Sequence, residues 1–104
     1  METGNFVITQ ESTSSGIKFT VRGRIDSTNA VELGHKLDNA IKGGQISIVV
    51  NMLRVEYMSS TGIRVILKAY KDAKAAGGKL GIEEPSENVR NVLGLVALNE
   101  MLIT

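Results

Sequence analysis

A chain of 104 residues with a formal net charge of +1 has the size of a single domain, residues 1–104, and a charge balance that gives no support for nucleic-acid binding. It contains no cysteine, which excludes disulfides and thiol chemistry and fits a reducing compartment. Two Tyr, two Phe and no Trp are too few aromatic side chains for a base-stacking platform.

The beginning of the chain carries no targeting pattern. Residues 1–5 lack a basic segment followed by an apolar one, so the sequence predicts no signal peptide. No apolar run approaches the roughly 20 residues that a membrane span needs. We therefore expect a cytoplasmic protein without a membrane partner.

Two strands are predicted first, at Phe6–Gln10 and Ile17–Arg24. The second strand alternates between apolar and polar residues, the pattern of a half-buried strand. The Ser- and Gly-rich stretch Ser12–Gly16 lies between the two strands, which favours a hairpin.

A helix and a central strand are predicted next. Asn29 with Glu32 three positions later predicts a capping box at the start of the helix, and Gly43–Gly44 ends it. The largely apolar run Ile46–Met52 predicts a strand in the middle of a sheet, followed by a short loop. The apolar positions at helical spacing are Ala30, Leu33, Leu37, Ala40 and Ile41.

The second helix is predicted from about Ser60 to Ala76, and Gly77–Gly78 ends it. A short strand at Leu80–Glu83 follows, then a third helix that opens at Pro85–Ser86, and a last strand at Leu98–Ile103. The predicted core side chains are Ile63, Ile66, Leu67, Tyr70 and Ala73 on the second helix, and Val89, Val92 and Leu93 on the third. This order predicts an α/β fold: a mixed, mostly parallel sheet of about five strands with an N-terminal hairpin and helices packed against it.

The sequence Ser59-Ser60-Thr61-Gly62 at the start of the second helix is the candidate site. One interpretation is a helix N-cap, since Ser and Thr are favoured there and loss of a cap costs about 1 kcal/mol. A cap explains only one hydroxyl, however. Three hydroxyls followed by Gly62 in the first helical turn, where Gly is costly, indicate close approach of a phosphoryl group or a partner surface.

No catalytic constellation accompanies these hydroxyls. The one histidine, His35, lies off the apolar stripe of the first helix and is interpreted as a surface residue. One His and no Cys exclude the usual zinc sites, and no metal or other cofactor is expected. Because an acid–base pair is missing, we expect no enzyme, and Ser60 is interpreted as the substrate of another enzyme.

The second helix also suggests a partner surface. At 100° per residue, Val65 and Ala69 lie roughly opposite the predicted core stripe and are expected to face solvent, with Arg64, Lys68 and Lys71 as an adjacent basic flank. Single exposed apolar residues are also ordinary, so both interpretations stay open.

These residues together resemble the STAS domain family, specifically the bacterial anti-sigma-factor antagonists. The family core is an apolar strand, a short loop and an Asp-Ser-Ser-Gly-like turn that opens a helix, and Val49–Gly62 aligns with it without a gap. Further matches are residues 21–26, 80–86 and 89–98. The resemblance covers roughly residues 17–104 and implies the STAS fold.

The resemblance implies a phosphorylation-controlled partner switch in transcription regulation. In that family an anti-sigma factor with serine kinase activity phosphorylates the antagonist, on the residue that corresponds to Ser60, with Ser59 and Thr61 as the other candidates. The unphosphorylated antagonist binds the anti-sigma factor and frees a sigma factor, and a PP2C-type phosphatase restores it. The residues expected to contact the partner are Asp26, Ser59, Ser60, Thr61, Gly62, Arg64, Val65, Lys68 and Ala69.

The chain departs from the family pattern at two positions. Ser59 stands where an Asp usually precedes the phosphorylated serine, and Asn51 stands where an Asp usually ends the central strand. Ser59 can still cap the helix. Many members continue into a further helix, so this chain is expected to be a short or truncated member.

Two other functions remain open at this stage. One is a non-switching STAS subunit, for example of a transporter. The other is a small nucleotide-binding module that uses Asp26, Asn51 and the start of the second helix.

Overall fold

The computed structural model describes residues 6–44 and 47–95, with side chains as far as Val92. The elements are β1 (Val7–Ser12), β2 (Gly16–Ile25), α1 (Asn29–Lys42), β3 (Ser47–Met58), α2 (Ser60–Ala75), β4 (Lys79–Glu83) and α3 (Glu87–Leu95).

The four strands form one mixed sheet in the order β1-β2-β3-β4. The β1/β2 pair is antiparallel, which confirms the N-terminal hairpin, whereas β2/β3 and β3/β4 are parallel. The predicted α/β class is therefore correct, with four strands rather than about five in residues 6–44 and 47–95. The predicted strand at Leu98–Ile103 lies outside the described residues.

The hydrophobic core lies against one face of the sheet. Alternate residues of β2 and β3 point toward it, among them Phe19 and Val50, which are register partners. Helix α1 contributes Leu33 and Leu37, as its apolar spacing predicts, and α2 contributes Ile66. Because α1 and α2 pack side by side on this face, the other face of the sheet keeps its half-exposed polar side chains.

Strand β3 is much longer than predicted, because the expected loop after Met52 continues as strand to Met58. The β2/β3 register shifts twice, between Thr20 and Arg22 and between Gly23 and Arg24, and each shift inserts one extra residue on β3. At the second shift Gly23 has φ +98°, a conformation that favours glycine. These two bulges break the alternation, which is why the sequence pattern after Met52 does not indicate a strand.

Helix α3 lies against the part of β3 that extends past β4. The Ser86 N–H donates to the Met52 carbonyl at 3.1 Å, and the Asn88 side-chain amide donates to the Glu56 carbonyl. Val89 is buried, as predicted, and Val92 is half-buried, whereas the Leu93 side chain lies outside the described residues. The start of α3 thus satisfies part of the β3 edge that β4 leaves open.

The predicted capping box is absent from the start of α1, and a reciprocal pair of hydrogen bonds orders the turn just before the helix instead. The Asp26 carboxylate accepts from the Asn29 N–H at 2.8 Å, and the Asn29 side-chain carbonyl accepts from the Asp26 N–H at 2.9 Å. The N-cap of α1 is Thr28, whose side chain makes no cap bond, so the predicted pair Asn29/Glu32 is wrong. Asp26, an expected partner-contacting residue, also orders the β2–α1 turn.

Candidate functional site

The candidate site forms where the parallel strands β2 and β3 end side by side. Ile25 and Met58 are register partners, and the Ser59 N–H donates to the Ile25 carbonyl at 2.8 Å. This pairing brings the β2–α1 turn with Asp26 next to the start of α2. The predicted site residues Asp26, Ser59, Ser60, Thr61 and Gly62 therefore do lie together, as expected at the carboxyl ends of parallel strands.

Ser59 is the N-cap of α2. Its backbone is extended, and its hydroxyl accepts a hydrogen bond from the Gly62 N–H at 3.1 Å. The prediction that serine at this position caps the helix is confirmed. Ser59 is half-buried and its hydroxyl is engaged in this hydrogen bond. The hydroxyl of Ser60 is therefore the more accessible of the two.

Ser60, the first residue of α2, is exposed. Within the described part of the chain, its hydroxyl makes no hydrogen bond, and neither do the N–H groups of Ser60 and Thr61. The first turn of α2 contains no acidic residue. A negative group on Ser60 would therefore meet unsatisfied N–H donors and the positive end of the helix dipole.

The packing beneath α2 leaves no room for a side chain at Gly62. A Cβ at this position would lie 2.9 Å from Ile25 Cγ2 and 2.9 Å from Met58 Cγ. The close approach that the sequence indicated is thus made by the ends of β2 and β3 beneath the helix. Gly62 itself is buried, which contradicts the expectation that a partner contacts its backbone directly.

The expectation that Val65 and Ala69 face solvent is wrong. Ala69 is 5% exposed, and Val65 is half-buried against α1, where a Cβ at Gly34 would lie 3.3 Å from Val65 Cγ1. Both residues line a groove of about 280 Å³ between α1 and α2. The helix pattern alone could not reveal this packing, because α1 covers a side of α2 that the sheet does not.

The basic flank of α2 is exposed as predicted. Arg64, Lys68 and Lys71 all reach solvent. The Lys68 ammonium forms an ion pair with Asp72 at 2.7 Å, and this hydrogen bond raises the pKa of Lys68 above its ordinary value. Arg64 lies four residues after Ser60, on the same side of the helix and one turn further along.

Asn51 lies in the middle of β3 and away from the start of α2. Its register partner is Thr20, six residues before Asp26 along β2, a separation of about 20 Å at roughly 3.3 Å per residue. The structure therefore does not bring together Asp26 and Asn51, the pair on which the nucleotide-binding hypothesis depends.

Asn51 instead joins a polar network across the open face of the sheet. Its side-chain amide donates to Glu83 at 3.0 Å, and Lys18 forms an ion pair with the same carboxylate oxygen at 3.0 Å. The hydrogen bonds from Lys18 and Asn51 lower the pKa of Glu83 below its ordinary value. The network ties β2, β3 and β4 together.

Sequence reasoning missed the side chains on β3 just before Ser59. The Arg24 guanidinium lies over the Tyr57 ring at 4.4 Å from the ring centroid, and Arg22 is the register partner of Arg54. Alternation along β2 indicates that Arg22 and Arg24 share a face. Their partners on β3 could not be found in this way, because the two bulges set the register.

Other kinds of site find little support in the described ranges, 6–44 and 47–95. They contain no group of three or more His, Cys, Asp or Glu side chains placed to hold a metal ion. None of their helices is both long and apolar enough to cross a bilayer. His35 is exposed and lines the groove between α1 and α2.

A family model described as the STAS domain matches residues 7–104. The chain belongs to the STAS domain family. A putative anti-sigma factor antagonist of Bordetella bronchiseptica, BtrV, is 32% identical over 72 residues, which span 69% of this chain and 62% of that protein. The anti-sigma-B factor antagonist of Bacillus subtilis is 28% identical over 94% of this chain and 89% of its own length.

Solved structures share this STAS fold. The anti-sigma factor antagonist SpoIIAA in its unphosphorylated form gives a TM-score of 0.83 at 22% identity, over 93% of this chain and 86% of that one. The phosphorylated form of Bacillus SpoIIAA gives a TM-score of 0.77, also at 22% identity, over 95% of this chain and 89% of that one. An anti-sigma factor antagonist from Mycobacterium paratuberculosis gives a TM-score of 0.83 at 18% identity, over 95% of this chain and 84% of that one. At these identities the likeness establishes the fold alone.

Proposed function

We propose that this STAS domain is an anti-sigma-factor antagonist in a phosphorylation-controlled partner switch. The unphosphorylated domain binds an anti-sigma factor that is also a serine kinase, and a sigma factor is thereby released. Phosphorylation of Ser60 prevents this binding, and a PP2C-type phosphatase reverses it. The observation that carries the proposal is the exposed Ser60 hydroxyl, without a hydrogen-bond partner in the described chain, at the first residue of α2.

Three neighbouring hydroxyls compete for the role of phosphoacceptor, and their surroundings favour Ser60. The Ser59 hydroxyl is the helix cap, so its modification would cost the bond to the Gly62 N–H. Thr61 is half-buried, whereas Ser60 is exposed. A kinase can therefore reach Ser60 without opening the turn.

The charge of the phosphate explains how the switch acts. A phosphoserine adds about −1.5 to −2 charges at neutral pH, and the helix dipole favours this charge in the free domain by about 0.3–1 kcal/mol. In a packed interface the same group must lose its water, which costs several kcal/mol where no partner charge compensates. A penalty of about 3–4 kcal/mol weakens binding roughly a hundredfold to a thousandfold.

The domain acts in this proposal as a cytoplasmic binding module and a kinase substrate, without catalysis of its own. The comparison with antagonists named in Bordetella and Bacillus supports the partner class. The exposure of Arg64 and Lys68 supports a role of the outer side of α2 in partner contact. Ala69 is left out of this surface because it is buried, and Val65 because it is half-buried in the groove beside α1.

A kinase assay tests the assignment of the phosphoacceptor. Wild type and the variants Ser59→Ala, Ser60→Ala and Thr61→Ala are incubated with the cognate anti-sigma factor and ATP, and the phosphosite is read by mass spectrometry. We expect phosphate on Ser60 in all proteins except Ser60→Ala. Phosphate on another hydroxyl, or on none, contradicts the assignment.

Calorimetric titration tests the switch itself. Ser60→Asp should bind the anti-sigma factor at least about 100-fold more weakly than wild type, whereas Ser60→Ala should bind as wild type does. A stable complex indifferent to Ser60→Asp would instead indicate a non-switching STAS subunit.

A further inference from the structure

An arginine patch covers the end of the open sheet face that lies nearest to α2. It consists of Arg22 and Arg24 on β2, Arg54 on β3, and the neighbouring Tyr57 and Leu53. Arg22 and Arg24 occupy the outward positions of β2, opposite Arg54 and Tyr57 of β3. All three arginines are exposed, and their side of the sheet is the one that α1 and α2 leave uncovered.

In the part of the chain that the structure describes, no ion pair compensates the charges of this patch. Glu56, which is exposed, is the acidic residue on this part of β3. Arg22 and Arg54 are register partners on the parallel strands β2 and β3, and like charges on neighbouring strands repel each other. A carboxylate opposite either arginine would favour folding, so the arrangement indicates a use outside the domain.

The apolar part of the patch fits a protein partner. Leu53 is 52% exposed and Tyr57 is 41% exposed, two of the three most exposed large apolar side chains in the described chain. The Arg24 guanidinium stacks on the Tyr57 ring at 4.4 Å, which holds both side chains in one orientation. Tyr and Arg are the residues that most often dominate protein–protein interfaces, and pre-ordered side chains lose less entropy on binding.

We propose that the arginine patch binds an acidic segment of the anti-sigma factor, as an extension of the Ser60 surface. This inference rests on the function proposed above. The Arg24/Tyr57 pair is followed by the Ile25/Met58 pair and then by Ser59, so the patch and the phosphorylation site are continuous. A phosphate on Ser60 would add negative charge at the edge of the patch, and would repel an acidic segment docked there.

Complementary charge favours an acidic protein segment over nucleic acid. The patch has three arginines in a chain of formal net charge +1. Nucleic-acid-binding proteins typically neutralise about 6–10 phosphates and are strongly basic. A small mixed patch of arginine, tyrosine and leucine corresponds better to the centre of a protein interface.

Charge reversal provides the test. The unphosphorylated variants Arg54→Glu and Arg22→Glu are each titrated with the anti-sigma factor. The matched control is Lys79→Glu, because Lys79 is an exposed cation at the far end of the same sheet. Each arginine reversal should weaken binding at least about 10-fold, and Lys79→Glu less than about twofold. Wild-type affinity should also fall between about 50 and 500 mM NaCl.

A thermal melt separates this effect from misfolding. Because Arg54→Glu replaces a repulsive pair by an attractive one, its melting temperature should equal or exceed that of wild type. Binding that is lost while the melting temperature is maintained supports the patch. If the arginine variants bind the anti-sigma factor as tightly as Lys79→Glu, the patch proposal is overturned and the proposed function stays intact. A wild type that binds no anti-sigma factor overturns both. The patch proposal is also overturned if Arg54→Glu weakens binding to a 20-base-pair DNA duplex or to anionic vesicles and leaves the affinity for the anti-sigma factor unchanged.

Discussion

Two adjacent serines at the start of α2 differ in role because their side chains meet different surroundings. The Ser59 hydroxyl turns toward the helix and accepts the Gly62 N–H, whereas Ser60 projects into solvent. Serine at position 59 caps the helix without adding a charge. The exposed Ser60 hydroxyl and the helix cap are thus separate groups, so the proposed modification of Ser60 would leave the cap intact.

Gly62→Ala tests the packing role of the glycine in this turn. In an ordinary helix position, Ala is more favourable than Gly by up to about 1 kcal/mol. Here the added Cβ meets Ile25 and Met58 at 2.9 Å, so we expect a loss of about 1–3 kcal/mol in the free energy of unfolding. Urea denaturation measures this, with Ser60→Ala as a control in the same turn that should change stability by less than about 0.5 kcal/mol. An unchanged or stabilised Gly62→Ala would show that the turn has room for a side chain.

At the scale of elements, strand β3 determines where the functional side chains lie. Its first half alternates, with Ile48, Val50 and Met52 in the core. Beyond Met52 the two extra residues change the burial pattern to every third residue, so that Val55 and Met58 stay inside while pairs of neighbours face outward. The bulges thereby add exposed side chains just before the site, a common use of bulges next to functional regions.

The network of Lys18, Asn51 and Glu83 gives the sheet a pH-dependent contribution to stability. The pKa of Glu83 is lowered in the folded state, so its contribution is present above the unfolded pKa, near 4.5, and is lost as pH falls through the folded value. We expect Glu83→Gln to flatten the decrease in unfolding free energy below about pH 4.5, measured by urea denaturation at several pH values. Glu56→Gln, which removes an exposed carboxylate outside the network, serves as the control. Equal slopes for Glu83→Gln and wild type would contradict the prediction.

At the scale of the whole molecule, the fold separates its core from the surfaces proposed for partner binding. Helices α1 and α2 cover one face of the sheet, whereas Ser60 and the arginine patch lie at the carboxyl ends of β2 and β3 and on the open face. Modification of Ser60 therefore changes the charge of a surface without disturbing packed residues. A switch of this kind needs a change in interaction free energy with the partner, and no second fold.

Ser60→Asp should leave the fold intact while it weakens partner binding. A carboxylate in the first turn of α2 interacts favourably with the helix dipole, so the free energy of unfolding should stay equal or rise by about 0.3–1 kcal/mol. Chemical denaturation measures this, and amide NMR shifts should change near the starts of α1 and α2 alone. Widespread shift changes or a loss of stability would indicate that the variant acts by unfolding.

Local sequence patterns are sufficient to predict the fold class and most of the helices and strands. The hairpin, the limits of α1 and α2 to within a residue or two, and the position of Ser60 follow from local patterns, because caps, glycines and apolar periodicity act over a few neighbours. The resemblance to STAS domains followed from the order of these segments.

The surroundings of the site depend on contacts between distant parts of the chain, so local patterns could not predict them. The length of β3 depends on its pairing with β2. Ala69 is buried because α1 packs against α2. Position 62 needs glycine because the Ile25 and Met58 side chains lie beneath the helix. The arginine patch likewise exists because two bulges place Arg54 opposite Arg22. Each of these features joins residues far apart in the chain, and their contacts depend on packing and register, which local periodicity does not encode.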